Sequence, residues 1–186
     1  MGQFEIITTN DLIEEVLEKW RDKIGDDYPA IRGHVYRMFN FCVALSGRSD
    51  PATVKKIAIA AAFHDIGIWT HGTFDYLPPS CDLAMAYLKE SDNSAWSKEL
   101  SEMIFLHHKL TPCRGEDVQL VEAFRRADLV DLSLGFVRSG LDRAFVREVQ
   151  AALPNAGFHA RVTRFSLAWA IRHPLNPLPF IKRQVR

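Results

Sequence analysis

Apolar residues recur at three- to four-residue intervals in most segments of this chain that are long enough to carry a period. From Thr9 or Asn10 to about Trp20, the positions Leu12, Ile13, Val16, Leu17 and Trp20 fall on one helical face. A second helix is predicted over 29–46, where Val35, Met38, Phe39, Cys42 and Val43 keep the same interval. The cluster Ser46-Gly47-Arg48-Ser49-Asp50-Pro51 reads as a turn. It leads into a buried helix, Thr53 to Phe63, with Asp50 as N-cap and Pro51 in the first turn. Residues 68–79 show no clear period and read as a loop. Helices follow from Ser80 to about Lys89 and from Ser94 to His108, then a polar loop from Thr111 to Asp117. Further helices are predicted near 117–133 and 139–152, and a last one from about Asn155 to His173, stopped by Pro174. No strand alternation, internal repeat or low-complexity tract interrupts this pattern. The expectation is an all-α fold, a compact multi-helix bundle forming one domain over residues 1–186.

Composition narrows the class. The chain has 186 residues, long enough for one domain with a sizeable core, and its 47% hydrophobic and 25% charged residues are ordinary for a globular protein. The net charge is zero and no long basic tract marks a surface for a nucleic-acid polymer. The mildly basic stretch Ile171 to Arg186 reads as solvated. No apolar segment approaches membrane-spanning length without charges. The N-terminus, MGQFEIITTNDL, lacks the basic region and apolar run of a signal peptide, and Ile6 stands where a myristoylation motif needs Ser or Thr. Cys42, Cys81 and Cys113 form no close pair and no CxxC zinc signature. Cys42 belongs to the predicted core. Reduced thiols and a cytoplasmic location are expected.

The candidate chemistry centres on Phe63-His64-Asp65-Ile66-Gly67. Neighbouring helical side chains point about 100° apart, so His64 and Asp65 face one point only where the helix ends. Gly67 is expected to end it through a left-handed conformation. Taken alone, such a pair reads more readily as a helix cap beside a surface Asp. His34 lies on or beside the apolar face of its helix, as a core-edge histidine or as a ligand. His107 and His108 close another helix, where one histidine is explained by the helix dipole. His107 follows Ile104 by three residues and is preferred as the inward one. Asp128 sits among Val121, Phe124, Leu129 and Leu132, and a buried carboxylate needs a partner: Arg125, Arg126 or a metal. Asp131, one turn on, is placed to support the site.

The ordered set His34, His64-Asp65, His107 and Asp128, each on its own helix, resembles the HD-domain metal-dependent phosphohydrolase superfamily. The contexts Ile31-Arg32-Gly33-His34-Val35, Ala62-Phe63-His64-Asp65-Ile66-Gly67, Ile104-Phe105-Leu106-His107-His108 and Arg126-Ala127-Asp128-Leu129 carry the resemblance over about residues 25–135. The chain is similar to the small, single-domain members. Many two-metal members place a Lys after His-Asp-Ile-Gly and a further His at the start of the next helix. Here Ile68 takes the Lys position and no such His is present. The resemblance therefore implies one divalent ion (Mn, Co, Ni, Fe, Zn or Mg) held by His34, His64, Asp65 and Asp128. It implies hydrolysis of a phosphomonoester or phosphodiester, with a nucleotide as the expected small-molecule partner and homodimerisation left open. Asp65, His107 and His71 are the expected catalytic residues. Arg32, Lys109 and Trp69 are the expected substrate contacts, with Arg114 a further phosphate candidate. Two alternatives remain: a nucleotide-sensing module without turnover, and a di-iron, dioxygen-activating enzyme on the same fold.

Overall fold

Helix α1 (Asp11–Lys19) begins where the Asn10 side chain accepts from Ile13 N at 3.2 Å, and it buries Ile13, Val16 and Leu17. The computed structural model describes residues 5–115 and 118–182. Met1 to Phe4, Asp117 as the expected helix start, and the end of the basic C-terminal stretch lie outside them. A short α2 (Arg21–Ile24) and a 3-10 turn lead into α3 (Tyr28–Ser46), the long central helix. The helix α4 (Pro51–Phe63) is capped as expected by Asp50, which accepts from Thr53 N at 2.9 Å.

The segment 68–79, expected as a loop, is mostly helical. It contains the end of α5 (Gly67–His71), and α6 (Leu77–Glu90) starts three residues before Ser80. Pro78 and Pro79 sit in the first turn of α6, where a missing N–H costs nothing, so they start the helix rather than precede it. A 3-10 turn over 94–96 precedes α7 (Ser97–Leu106), which stops just before the two histidines. Then come α8 (Gln119–Leu132), α9 (Arg143–Ala152), α10 (Phe158–Arg172) and α11 (Pro179–Lys182). No strand occurs among the described residues, and the fold is all-α.

The core forms where α8 packs along α3 and α4 closes on α1 and α3. Met38, Phe39, Phe41, Ile57, Phe124 and Val130 are inaccessible to solvent there. On α8 the buried line is Val121, Phe124, Ala127, Asp128 and Asp131, whereas Leu129, expected inside, is 38% exposed. Two aspartates thus occupy core positions of a helix, which is where the chemistry must lie. The three cysteines are buried and unpaired. No described helix is long and apolar enough to cross a membrane.

Candidate metal centre

The His-Asp pair sits at a helix junction. After Phe63 the chain continues through one more helical residue, His64, and then turns into α5. Gly67 is not left-handed as the sequence suggested: it is a helical residue, absent from the positive-φ positions. What requires glycine is close approach. A Cβ there would stand 2.6 Å from Tyr76 O and 2.9 Å from Ser80 Oγ. Gly67 N instead donates to Ser80 Oγ at 2.9 Å, locking α5 onto α6 and fixing the direction of Asp65.

Around Asp65, four elements deliver buried donors. His34 from α3 places Nε2 at 3.0 Å from His64 Nε2 and 3.5 Å from Asp65 Oδ2. His64 Nε2 lies 3.4 Å from the same oxygen. His107, just past α7, places Nε2 at 3.4 Å from the other oxygen, Oδ1. Asp128 of α8 brings Oδ1 to 4.0 Å from His34 Nε2. None of these five residues is more than 4% exposed.

The outer nitrogens are all committed. His34 Nδ1 is 2.6 Å from Asp131 Oδ2, His64 Nδ1 is 2.8 Å from Ala61 O, and His107 Nδ1 is 2.6 Å from Ile104 O. Each acceptor calls for a proton on Nδ1, so in the neutral rings the Nε2 lone pairs face inward. Asp131 is itself held by Arg37 through Nε at 2.5 Å and Nη2 at 2.9 Å, and Arg37 Nη1 donates to Leu153 O and Pro154 O. Phe158 at the start of α10 stacks on the His34 ring at 4.0 Å, and Phe124 stands edge-on to His64.

The electrostatics follow from this crowding. Burial alone would depress His34, but hydrogen bonds to Asp131 and Asp65 outweigh it and push its pKa up to about 9. Burial dominates at His64, which falls to about 4. Burial opposes ionisation of Asp65 and Asp128, yet the surrounding imidazoles hold both carboxyls down. Asp131 drops to about 2 against its own burial, because His34 and Arg37 bond to it. The site is therefore two anionic carboxylates among buried imidazole rings, of which His34 favours its protonated form.

These residues fit a divalent cation. Asp65 Oδ1 and Asp128 Oδ1 are buried and make no hydrogen bond, a costly state that a metal ion would relieve. Nitrogen and carboxylate donors together suit first-row divalent ions. His34, His64 and Asp65 form one donor group, and Asp65, His107 and His108 form a second. Asp65 belongs to both.

The other sequence candidates divide. Lys109 lines the cavity of about 270 Å³ that opens onto Asp65, His107, His108 and Asp128. His71, Arg32 and Trp69 do not line it. His71 is exposed at the end of α5 and contacts Thr70 Oγ1. Arg32 reaches back to Glu14 and Thr8 O, pinning the α1 region to α3. Trp69 donates from Nε1 to Asp27 Oδ2 at 2.9 Å. Each is a scaffold or surface residue here, because its polar group already has a partner away from the cluster. Arg114 borders a second cavity, shared with Lys109. The expected protein partners of Asp128 are engaged elsewhere, Arg125 with Glu122 and Arg126 with Ser139 O.

Sequence reasoning missed His108 and Tyr76 as a unit. His108 Nδ1 is 2.9 Å from Asp128 Oδ2, and its Nε2 is 2.6 Å from the Tyr76 hydroxyl. The adjacency of two histidines after α7 was the available signal, since a turn there lets both rings face inward. Arg37 was also missed, although a charged residue one turn after His34 inside an apolar run was visible. No family model, curated protein or solved structure matches this chain.

Proposed function

We propose that this chain is a metal-dependent phosphohydrolase of the HD-domain kind, acting on a phosphomonoester or phosphodiester, with a nucleotide as the substrate class. The observation that carries this reading is the pair of imidazole nitrogens, His34 Nε2 and His64 Nε2, 3.0 Å apart with both Nδ1 atoms tied to acceptors. With no ion bound, one proton held on His34, whose pKa is pushed up to about 9, joins the two nitrogens; a divalent cation would displace that proton and take both lone pairs. His34, His64, Asp65 and Asp128 would hold the ion. When bound, it supplies a lowered pKa for water and neutralises charge on phosphoryl oxygens.

The remaining roles belong to the chain itself. Asp65 borders the cavity and would orient the attacking water as well as hold the ion. His107 borders the same cavity and is placed to give a proton to a leaving oxygen. Lys109 on the rim supplies a cation for the phosphate. Ile68, Phe74, Leu129, Val162 and Phe180 form an apolar wall that excludes water and receives the organic part of the substrate. His108 holds Asp128 and is itself held by Tyr76, and both also border this cavity.

The experiment is phosphate release from a panel of nucleotides and simple phosphoesters with Mn, Co, Ni or Mg added, run beside metal content, with Asp65→Ala as control. Metal-dependent release lost in the variant supports the reading. Metal and activity retained by Asp65→Ala remove this site from the account. One observation favours a second reading. Asp65 presents Oδ2 to one donor group and Oδ1 to the other, an arrangement suited to two ions and so to the di-iron, dioxygen-activating alternative. Two irons per chain with oxygen uptake and no phosphate release would favour it.

A further inference from the structure

Beyond the loop that follows α8, a second polar concavity lies apart from the histidine cluster. It is a cavity of about 340 Å³ between residues 134–138 and α9, and it shares no lining residue with the cavity at Asp65. Arg138 comes from the loop, Arg143 and Arg147 from successive turns of α9, and no carboxylate lines the space. Among the described residues, none of the three guanidinium groups makes an ion pair. Of the nearest acids in sequence, Asp142 is spent on the helix cap, where it accepts from Ala144 N and Phe145 N, and Glu148, next to Arg147, does not line the cavity.

Arg143 and Arg147 stand four residues apart on one helix, the spacing at which like charges repel and destabilise the helix. Elsewhere several arginines are neutralised: the buried or half-buried Arg32 with Glu14, Arg37 with Asp131 and Arg125 with Glu122, and the exposed Arg21 with Glu18. The trio at this cavity is left without that compensation. Guanidinium groups present planar forks that match phosphate oxygens two at a time. At the lip stands Phe136, 90% exposed, an aromatic face open to solvent and suited to stack on a flat ring. Gln150 adds an amide at the edge.

We infer that this cavity is a second ligand site, separate from the metal cluster, that binds a nucleoside phosphate: the phosphates between Arg138, Arg143 and Arg147, the base on Phe136. The site needs neither a metal ion nor Asp65, so its test stands apart from the proposed hydrolysis.

The experiment is calorimetric titration of the full chain carrying Asp65→Ala, in EDTA, with ATP, GTP, pyrophosphate and inorganic phosphate. Expected is saturable nucleotide binding that weakens at least tenfold with Arg143→Gln plus Arg147→Gln and severalfold with Phe136→Ala. Pyrophosphate should compete but bind less tightly, and affinity should fall as salt rises. The helical circular dichroism of the arginine variants should be unchanged, because these side chains are exposed. No binding at millimolar nucleotide, binding indifferent to the arginine pair, or pyrophosphate binding as tightly as the nucleotides would overturn the inference.

Discussion

At the scale of single residues, the cluster is organised by what holds the outer side of each ring. Asp131 does for His34 what backbone carbonyls do for His64 and His107: it fixes the tautomer and aims Nε2 at Asp65. Replacing Asp131 with Asn keeps the shape but swaps a charged acceptor for an amide, and metal affinity should fall roughly 10- to 100-fold, the usual effect of losing such an outer partner. Metal titration of Asp131→Asn against the parent chain checks this; equal affinities would show that His34 is not oriented from outside. His71 provides the contrast. It is exposed and outside the cavity, so His71→Ala should leave metal content unchanged, whereas His64→Ala should abolish it. The donors His34, His64, Asp65 and Asp128 were legible in the sequence because each is a polar residue set in or beside an apolar period. His71, Arg32 and Trp69 do not line the cavity, and for Arg32, two positions from His34, the reason is direction. Nearness in sequence to a site residue says nothing about direction, and on a helix the residue two positions away points to the opposite side.

At the scale of elements, the junction between α4 and α5 decides where Asp65 points. Gly67→Ala would push a methyl group toward Tyr76 O, a backbone atom that cannot swing away. Overpacking of this kind costs about 1–3 kcal/mol, and the displaced α5 would carry Asp65 with it. Thermal unfolding should show the lower midpoint, and metal affinity should fall with it; an unperturbed Gly67→Ala would contradict the close approach. The helix N-cap at Asp50 is simpler, and Asp50→Ala should lower the thermal midpoint without touching the cluster. Helix identity was readable from period alone for α1, α3, α4 and α8. The α5–α6 segment was not, because aromatic residues and two prolines mask a helix whose first turn needs no N–H from either proline. The reason for Gly67 was also illegible, since it depends on α6 lying against it rather than on local backbone preference.

At the scale of the whole molecule, the site is a core that happens to be polar, and its walls come from distant parts of the chain. Phe158 of α10 covers His34, and Arg161 of the same helix pairs with Asp27 at 2.9 Å. The α1 helix is tied to α3 by Glu14, which accepts from Arg32 and from the Tyr36 hydroxyl. Burial tends to raise the Glu14 carboxyl, but bonds to Arg32 and Tyr36 hold it below 4.5. A depressed folded-state pKa gives stability that is complete above the unfolded value near 4.5 and fades as pH falls through the folded value. Glu14→Gln should therefore flatten the acid limb of the stability curve below about pH 4.5, by less than about 1 kcal/mol because the pair is partly exposed. Denaturant unfolding at pH 7 and pH 3.5 measures it; a difference between the two chains that is unchanged at pH 3.5 would contradict the linkage.

The central claim is that the buried His-Asp cluster binds a divalent ion. The direct measurement is metal content after equilibrium dialysis against Mn, Co, Ni and Zn in turn, for the parent chain and for Asp65→Ala with its helical content verified. The account predicts at least one tightly held ion per chain in the parent and less than a tenth of that in Asp65→Ala. No ion above the buffer level in the parent, or equal retention in the folded variant, would contradict it.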